Sequence, residues 1–273
     1  MDGIADYRFI ERLGEGNHGT FWLARPPARL TSVNHEFVAV KTLAQQATDQ
    51  DFKRMSNELR VYAAVKSDQL VPVFDAGHQR GRLFYATSYF PDGSLGSPAA
   101  PMDRNEVVTA VAHAAIGAHA LHEAGIAHRD IKPANIMVDR AGHMRAQLGD
   151  LGLAQVINPG QTVTGIGPVG TIEYLAPEQV QGERASRASD IWALGVTLHR
   201  TLTGRGIYAD FPVDELLDAL RYVISERPTL DPRLSPDVEA VVSRCLAEDP
   251  ADRYQTAEEL AAALRTIGDV NHG

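Results

Sequence analysis

Between residues 7 and 90 the apolar positions come in short runs. "YRFIERLG", "GTFWLAR", "EFVAVKTL", "LVPVFDAG" and "RLFYATSYF" are rich in β-branched and aromatic residues. Gly, Pro or Asp bounds each run, which predicts strands. One segment breaks this rhythm. In "QDFKRMSNELRVYAAV" the residues Phe52, Met55, Leu59, Tyr62 and Ala63 recur at spacings of three and four, which predicts a helix with Thr48 or Asp49 as its cap. "PDGSLGSPAAP", Pro91 to Pro101, reads as a loop by composition. Beyond it the period becomes helical. Asp103 with Glu106 three residues on resembles a capping box before the apolar run from Val107. Helical patterns return in "DIWALGVTLHRTLTG", "DELLDALRYVI", "PDVEAVVSRCLAEDP" and "TAEELAAALRTI". Strands followed by helices predict either an α+β chain or two lobes.

Bulk properties narrow the function classes. A chain of 273 residues with 44% hydrophobic composition can bury a sizeable core. With 26 Lys+Arg against 35 Asp+Glu, the net charge is −9, which argues against a nucleic-acid surface. The single cysteine, Cys245, lies in an apolar helical pattern and is expected to be a packed thiol in a reducing compartment. "MDGIADYRFI" has no basic stretch leading into an apolar run, so no signal peptide is expected. The Ala-rich run from Val107 to His128 carries His113, His119, His122 and Glu123 and predicts a buried helix, not a membrane span. Those histidines lack the companions of a metal site and are expected to be packed or on the surface.

Several motifs carry chemistry. "LGEGNHGTF" sets Gly14, Gly16 and Gly19 as G-x-G-x-x-G after Leu13. A dinucleotide site needs a helix next, but a strand-like run ending in Pro26 and Pro27 follows, so the loop reads as a hairpin tip. Either it is an ordinary glycine turn, or its backbone N–H groups approach phosphate. "VAVK" puts Ala39 and Lys41 on one strand face, and Glu58 lies near the packing face of the following helix. Lys41 is either a solvated strand lysine or half of a Lys–Glu pair that orients phosphates. "HRDIKPAN" packs Asp130, Lys132 and Asn135 into eight residues, and "LGDLGLA" adds Asp150. A carboxylate, an amide and a second carboxylate suit a divalent cation shared with phosphate oxygens, and Asp130 is placed to accept a hydroxyl proton.

In this order the motifs resemble those of the eukaryotic-type protein kinases, from about residue 7 to residue 264. The resemblance implies a bilobal fold, with a β-rich N-lobe (1–90) bearing one regulatory helix and a mostly helical C-lobe (91–273). It implies that Gly14, Gly16 and Gly19 cover phosphates and that Lys41, paired with Glu58, contacts the α- and β-phosphates. Asp130 would be the catalytic base, Lys132 would neutralise the γ-phosphate, and Asn135 and Asp150 would hold Mg²⁺ or Mn²⁺. The ATP-binding residues would include Leu13, Phe21, Ala39, Thr87, Ser88, Phe90 and Met137. Phe21, Ala39 and Met137 would sandwich the base, Thr87 would be the gatekeeper, and Ser88 and Phe90 would offer hinge backbone contacts. "GTIEYLAPE", Gly170 to Glu178, resembles the substrate-binding segment. Asp190 resembles the aspartate that braces the catalytic loop, and Arg253 the buried partner of Glu178.

Lys132 after Asp130, with Thr171, resembles the Ser/Thr-specific branch. "VPVFDAG", "HRDIKPANIMV" and "CLAEDPADRY" resemble bacterial Ser/Thr kinases, particularly those of actinobacteria. The implied function is transfer of the γ-phosphoryl of MgATP to Ser or Thr of protein substrates. The implied setting is cytoplasmic, or the cytosolic part of a larger membrane protein; family members often dimerise through the N-lobe. A nucleotide-binding pseudokinase scaffold is the alternative, but it requires loss of Lys41, Asp130 or Asp150, and all three are present. Thr162 and Thr164 are candidate phosphosites near Arg129 in the sense of a charge switch; otherwise they are two β-branched residues in a glycine-rich loop. Four features depart from the family pattern. Leu151 replaces the usual aromatic, Phe21 replaces the usual valine, "RPPARLTSVNHE" is long, and "DRAGHMRAQLGD" carries extra residues. None of them removes a catalytic group.

Overall fold

The computed structural model describes residues 3–16, 19–30, 35–43, 48–150, 169–212 and 215–269. The chain clusters into two compact units. One holds the chain up to Val65 together with Val71–Tyr89; the other holds Lys66–Leu70 and most of the chain from Phe90 onward.

Among the described residues, the first unit is an antiparallel five-stranded sheet with one helix. Its strands are β1 (Arg8–Gly16), β2 (Gly19–Arg25), β3 (Val38–Leu43), β4 (Val73–Gln79) and β5 (Arg82–Ser88), in the order β1-β2-β3-β5-β4. The glycine motif is the β1–β2 hairpin, with Gly16 opposite Gly19. Gly19 has φ +149°, and a Cβ there would lie 2.0 Å from the Thr42 carbonyl oxygen, so only glycine lets β2 and β3 approach. The β4–β5 turn uses Arg80 and Gly81, both at positive φ, the backbone twist that two-residue hairpins favour. Ile4, Tyr7, Ala24, Val38, Val40, Phe84 and Ala86 form the core of this unit. Helix α1 (Asp49–Ala64) starts at Thr48, whose side chain accepts from the Asp51 N–H while the Asp51 carboxylate accepts from the Thr48 N–H. Of the five apolar positions that the spacing picks out, Met55, Leu59 and Tyr62 are buried, Phe52 is half-buried and Ala63 is exposed, so the stripe is narrower than predicted.

The second unit is mostly helical. Its α-helices among the described residues are α2 (Arg104–Glu123), α3 (Pro177–Val180), α4 (Arg187–Thr203), α5 (Leu216–Ser225), α6 (Pro236–Cys245) and α7 (Ala257–Asp269). Helix α2 carries the expected capping box between Asp103 and Glu106 and is buried along much of its Ala-rich length, packing on α4, α7 and the strand Arg145–Leu148. Helix α4 crosses α6 closely, because a Cβ at Gly195 would sit 2.5 Å from the Cβ of Cys245. That thiol is fully buried, and burial pushes its pKa up to about 12, which fits a packed and inert cysteine. Lys66–Leu70 joins this unit because Leu148 N–H donates to the Gln69 carbonyl at 2.8 Å and the Gln147 amide donates to the Asp68 carbonyl.

The segment Pro91–Pro101 is a correction to the loop reading. It folds into a two-residue hairpin, β6 (Gly93–Ser94) and β7 (Ser97–Pro98), which extends a sheet ordered β7-β6-β8-β9 with β8 (Ile136–Asp139) and β9 (Arg145–Leu148). Strands of two residues are too short to show a period of two. Among the described residues, no helix is long and apolar enough to cross a membrane, and no group of three or more His, Cys, Asp or Glu is arranged to hold a metal.

Candidate active site

The sequence "HRDIKPAN" is a loop that enters a short 3-10 turn, Pro133–Asn135, just before β8. Proline at the first position of the turn presets its φ and carries no N–H to strand. The loop hangs on one buried carboxylate. Asp190, in the first turn of α4 and 2% exposed, accepts from the backbone N–H of His128 at 2.6 Å and of Arg129 at 3.0 Å. It also meets His122 Nε2 at 2.8 Å. Arg129 takes a positive φ of 74°, a strained conformation held in place by these bonds.

His128 is wholly buried. Its Nε2 lies 3.0 Å from the Gly149 carbonyl and therefore donates, which leaves Nδ1 to accept from the Asp130 N–H at 3.4 Å. Burial pushes its pKa down, against the pull of Asp190, so the ring is neutral.

Asp130 is thus fixed from behind, and its carboxylate is shared. Lys132 Nζ reaches both of its oxygens, at 2.8 and 2.9 Å. The Asn135 amide donates to the Asp130 carbonyl at 2.7 Å and to its carboxylate at 2.9 Å. With its donors spent there, Asn135 presents Oδ1 as an acceptor for a cation. The donor set therefore fits a hard divalent ion, which prefers oxygen ligands. Asn135 is joined to the neighbour of Asp150, because Gly149 N–H donates to the Asn135 carbonyl at 2.9 Å. Asp150 itself has φ +57°, again an unusual conformation for a residue with a side chain.

In the first unit, Lys41 is only 6% exposed, so the solvated-lysine reading is excluded. It pairs in register with Phe21 on β2 and Tyr85 on β5, and its ammonium lies 4.9 and 5.9 Å from those ring centroids. Burial of a lysine amid rings and strands is costly without a stabilising partner surface, and the two ring faces supply part of it. Ala39 and Thr87 are register partners, both buried. Ser88 pairs with Val38 at the end of β5, and Gly14 pairs with Phe21. Leu13 is 38% exposed on β1. Glu58 is half-buried on α1 beside Leu59. In the second unit, Phe90 accepts from Gly93 N–H, and Met137 pairs with Gln147 and with Ser94. Thr162, Thr164 and Leu151 lie outside the described residues.

Further along, Glu178 in α3 and Arg253 are joined by two bonds, as the resemblance implied. Two features were not legible in the sequence. One is the contact of His122 with Asp190, whose only local signal is a histidine in the last turn of α2. The other is Glu173, which is 3% exposed, accepts from Ile207 N–H at 2.9 Å and pairs with Arg200.

Comparison with known proteins bears on this arrangement. Residues 7–263 match the family model described as protein kinase domain. The serine/threonine-protein kinase PknB of Mycobacterium tuberculosis is 35% identical over 270 residues, covering 94% of this chain and 42% of that protein. The serine/threonine-protein kinase PrkC of Bacillus subtilis is 29% identical, covering 97% of this chain and 41% of that protein. The chain thus spans less than half the length of these relatives. The crystal structure of the Mycobacterium tuberculosis PknI kinase domain superposes with a TM-score of 0.68 at 26% identity, covering 96% of both chains.

Proposed function

Because the chain belongs to the protein kinase domain family, we propose that it transfers the γ-phosphoryl group of ATP to serine and threonine hydroxyls of protein substrates. The observation that carries this is the Asp130, Lys132 and Asn135 cluster, pinned through His128 and Arg129 to the buried Asp190. All the groups whose loss would leave only a nucleotide-binding scaffold are present: Lys41, Asp130 and Asp150.

Each residue has a task derived from its chemistry. Asp130 accepts the proton of the incoming hydroxyl as the new O–P bond forms and the bond to the departing ADP oxygen breaks. Lys132, now on Asp130, would offset the charge of the transferred group. Lys41, partnered with Glu58, orients the α- and β-phosphates, and the β1–β2 glycines let backbone N–H groups cover them. Asn135 and Asp150 would hold Mg²⁺ or Mn²⁺, which supplies charge neutralisation across the phosphates. The adenine contacts fall to Leu13, Phe21, Ala39, Thr87, Ser88, Phe90 and Met137. Arg129 is the cation that a phosphate on Thr162 or Thr164 would neutralise, and self-phosphorylation there would act through that charge.

The test is transfer of label from γ-labelled ATP, with Mg²⁺ or Mn²⁺, to the chain itself and to a generic basic protein. Label on phosphoserine or phosphothreonine, lost in Asp130→Asn, is the expected result. Equal transfer by the Asp130→Asn protein, or none by the parent chain while ATP binds, would overturn the proposal.

A further inference from the structure

Beside the catalytic loop lies a pocket of about 420 Å³ that the roles above leave unused. Lys132 and Ala134 of the loop line one side, Tyr174 of the substrate-binding segment another, and Arg200 and Thr201 at the end of α4 a third. Among the described residues, no carboxylate lines it. Two cations therefore face a pocket that shares a wall with the catalytic residues.

Arg200 is held in place from behind. Its Nη1 donates to Glu173 Oε2 at 2.5 Å, while Glu173 Oε1 takes the Ile207 N–H. Both oxygens of that buried carboxylate are thus engaged. A Cβ at Gly206 would lie 2.0 Å from Glu173 Oε1, so glycine there permits the close approach. Among the described residues, Arg200 makes no other side-chain hydrogen bond. Most of the donors in its planar fork are unused, and its side chain is 44% exposed. Lys132 is ordered in the same way, with Asp130 behind it.

The Glu173 and Asp130 carboxylates offset part of the charge of the two cations, though neither lines the pocket, and a further feature opposes an anion there. The C-terminal end of α4 carries a partial negative charge of roughly half an elementary unit. The Arg200 carbonyl, however, is closed by the Gly204 N–H at 2.8 Å, and the full charges of Arg200 and Lys132 face the same space. The cations prevail at short range.

We propose that this pocket binds an anionic side chain, a carboxylate or a phosphate, that flanks the acceptor hydroxyl of the substrate, with Arg200 as the residue that selects it. The proposal rests on the kinase reading and adds a substrate class to it: serine or threonine in an acidic or already phosphorylated setting. An arginine fork with free donors matches either anion with paired hydrogen bonds, which a lysine-only pocket would not do.

The experiment is a position-scanning peptide library, phosphorylated by the parent chain, by Arg200→Gln and by Arg200→Lys. The expected result is enrichment of Asp, Glu or phosphoserine by about tenfold at one position near the acceptor, the size of one good charge-assisted contact. Arg200→Gln reduces that enrichment to about twofold or less, and Arg200→Lys retains an intermediate value because charge persists without the fork. Phosphoserine above Glu at that position identifies phosphate as the ligand; Glu equal or higher identifies carboxylate. Phosphorylation with no acidic preference, or a preference that Arg200→Gln leaves intact, overturns the inference and leaves the kinase reading standing. Failure to phosphorylate any peptide would count against the kinase reading itself. The pocket is then tested by fluorescence anisotropy of a Glu-flanked serine peptide against its Lys-flanked twin, and equal affinity would sink it.

Discussion

Arg253 and Glu178 lie 75 residues apart in the chain and meet as a two-bond ion pair in the interior, Nη1 to Oε1 at 2.7 Å and Nη2 to Oε2 at 2.9 Å. The arginine is fully buried, stacks with its guanidinium carbon 4.9 Å from the Trp192 ring centroid, and donates to the carbonyls of Ala247, Ala188 and Glu248. It ties α3 to the stretch between α6 and α7. Removing one member of such a pair leaves a buried charge alone, at a cost of about 3–5 kcal/mol. Arg253→Met should lower the melting temperature by roughly 10 °C for a chain of this size. A melt within 2 °C of the parent would show, on the same scale, that the pair contributes under about 1 kcal/mol.

His122 is expected to act through Asp190. Its Nε2 is one of three donors on that carboxylate, and the other two are the backbone N–H groups that set the catalytic loop. His122→Phe should leave KM for ATP within about twofold and lower kcat about tenfold, because small misplacement of a catalytic group is costly in rate. Steady-state kinetics on folded protein decide it. A loss confined to KM or to stability would assign His122 to packing alone.

Asn135 fixes Asp130 and, on the proposed function, gives Oδ1 to the cation, so Asn135→Ala would remove both. Activity should fall by about a hundredfold, with the metal concentration for half-maximal rate raised. A titration of Mg²⁺ against rate separates the two effects. An unchanged metal requirement would remove Asn135 from the ligand set.

Acid should destabilise the fold before ordinary carboxylates titrate. Burial holds the pKa of His113, His128 and His199 below the usual histidine value of about 6.5. Between the folded and unfolded values, the unfolded chain binds more protons than the native one, so stability rises with pH there and is lost as pH falls through about 6.5. Glu173 works the other way, since burial raises its pKa, but it is one group against three. The melting temperature should therefore drop as pH is lowered from about 7 to about 5.5. His113→Gln should flatten the slope, because His113 Nδ1 accepts from Ala146 N–H only as the neutral ring. A flat or rising curve in the parent protein refutes this account.

Local chemistry determined much of this molecule from the sequence alone. The β-branched and aromatic runs of β1 to β5, the stripe of α1 and the capping residues Thr48 and Asp103 are properties of a few neighbouring side chains, and they form the strands, helix and caps expected of them. The spacing of Asp130, Lys132 and Asn135 is equally local, since one loop and one turn hold all three. The hairpin inside Pro91–Pro101 escaped because two residues carry no period, and its strands exist only by pairing with β8.

Other features depend on contacts that no local pattern encodes. Lys41 reads equally well as solvated or buried until β2 and β5 place Phe21 and Tyr85 beside it. Asp190 becomes the anchor of the catalytic loop only when α4 lies 62 residues away from His128 in sequence and 2.6 Å away in space. The Arg200 and Glu173 pair, and the cation-lined pocket beside it, likewise needs α4 and the 3-10 turn Val169–Tyr174 folded together. A buried ionic contact is selected by the low dielectric and packing around it, and those exist only once the tertiary structure has formed.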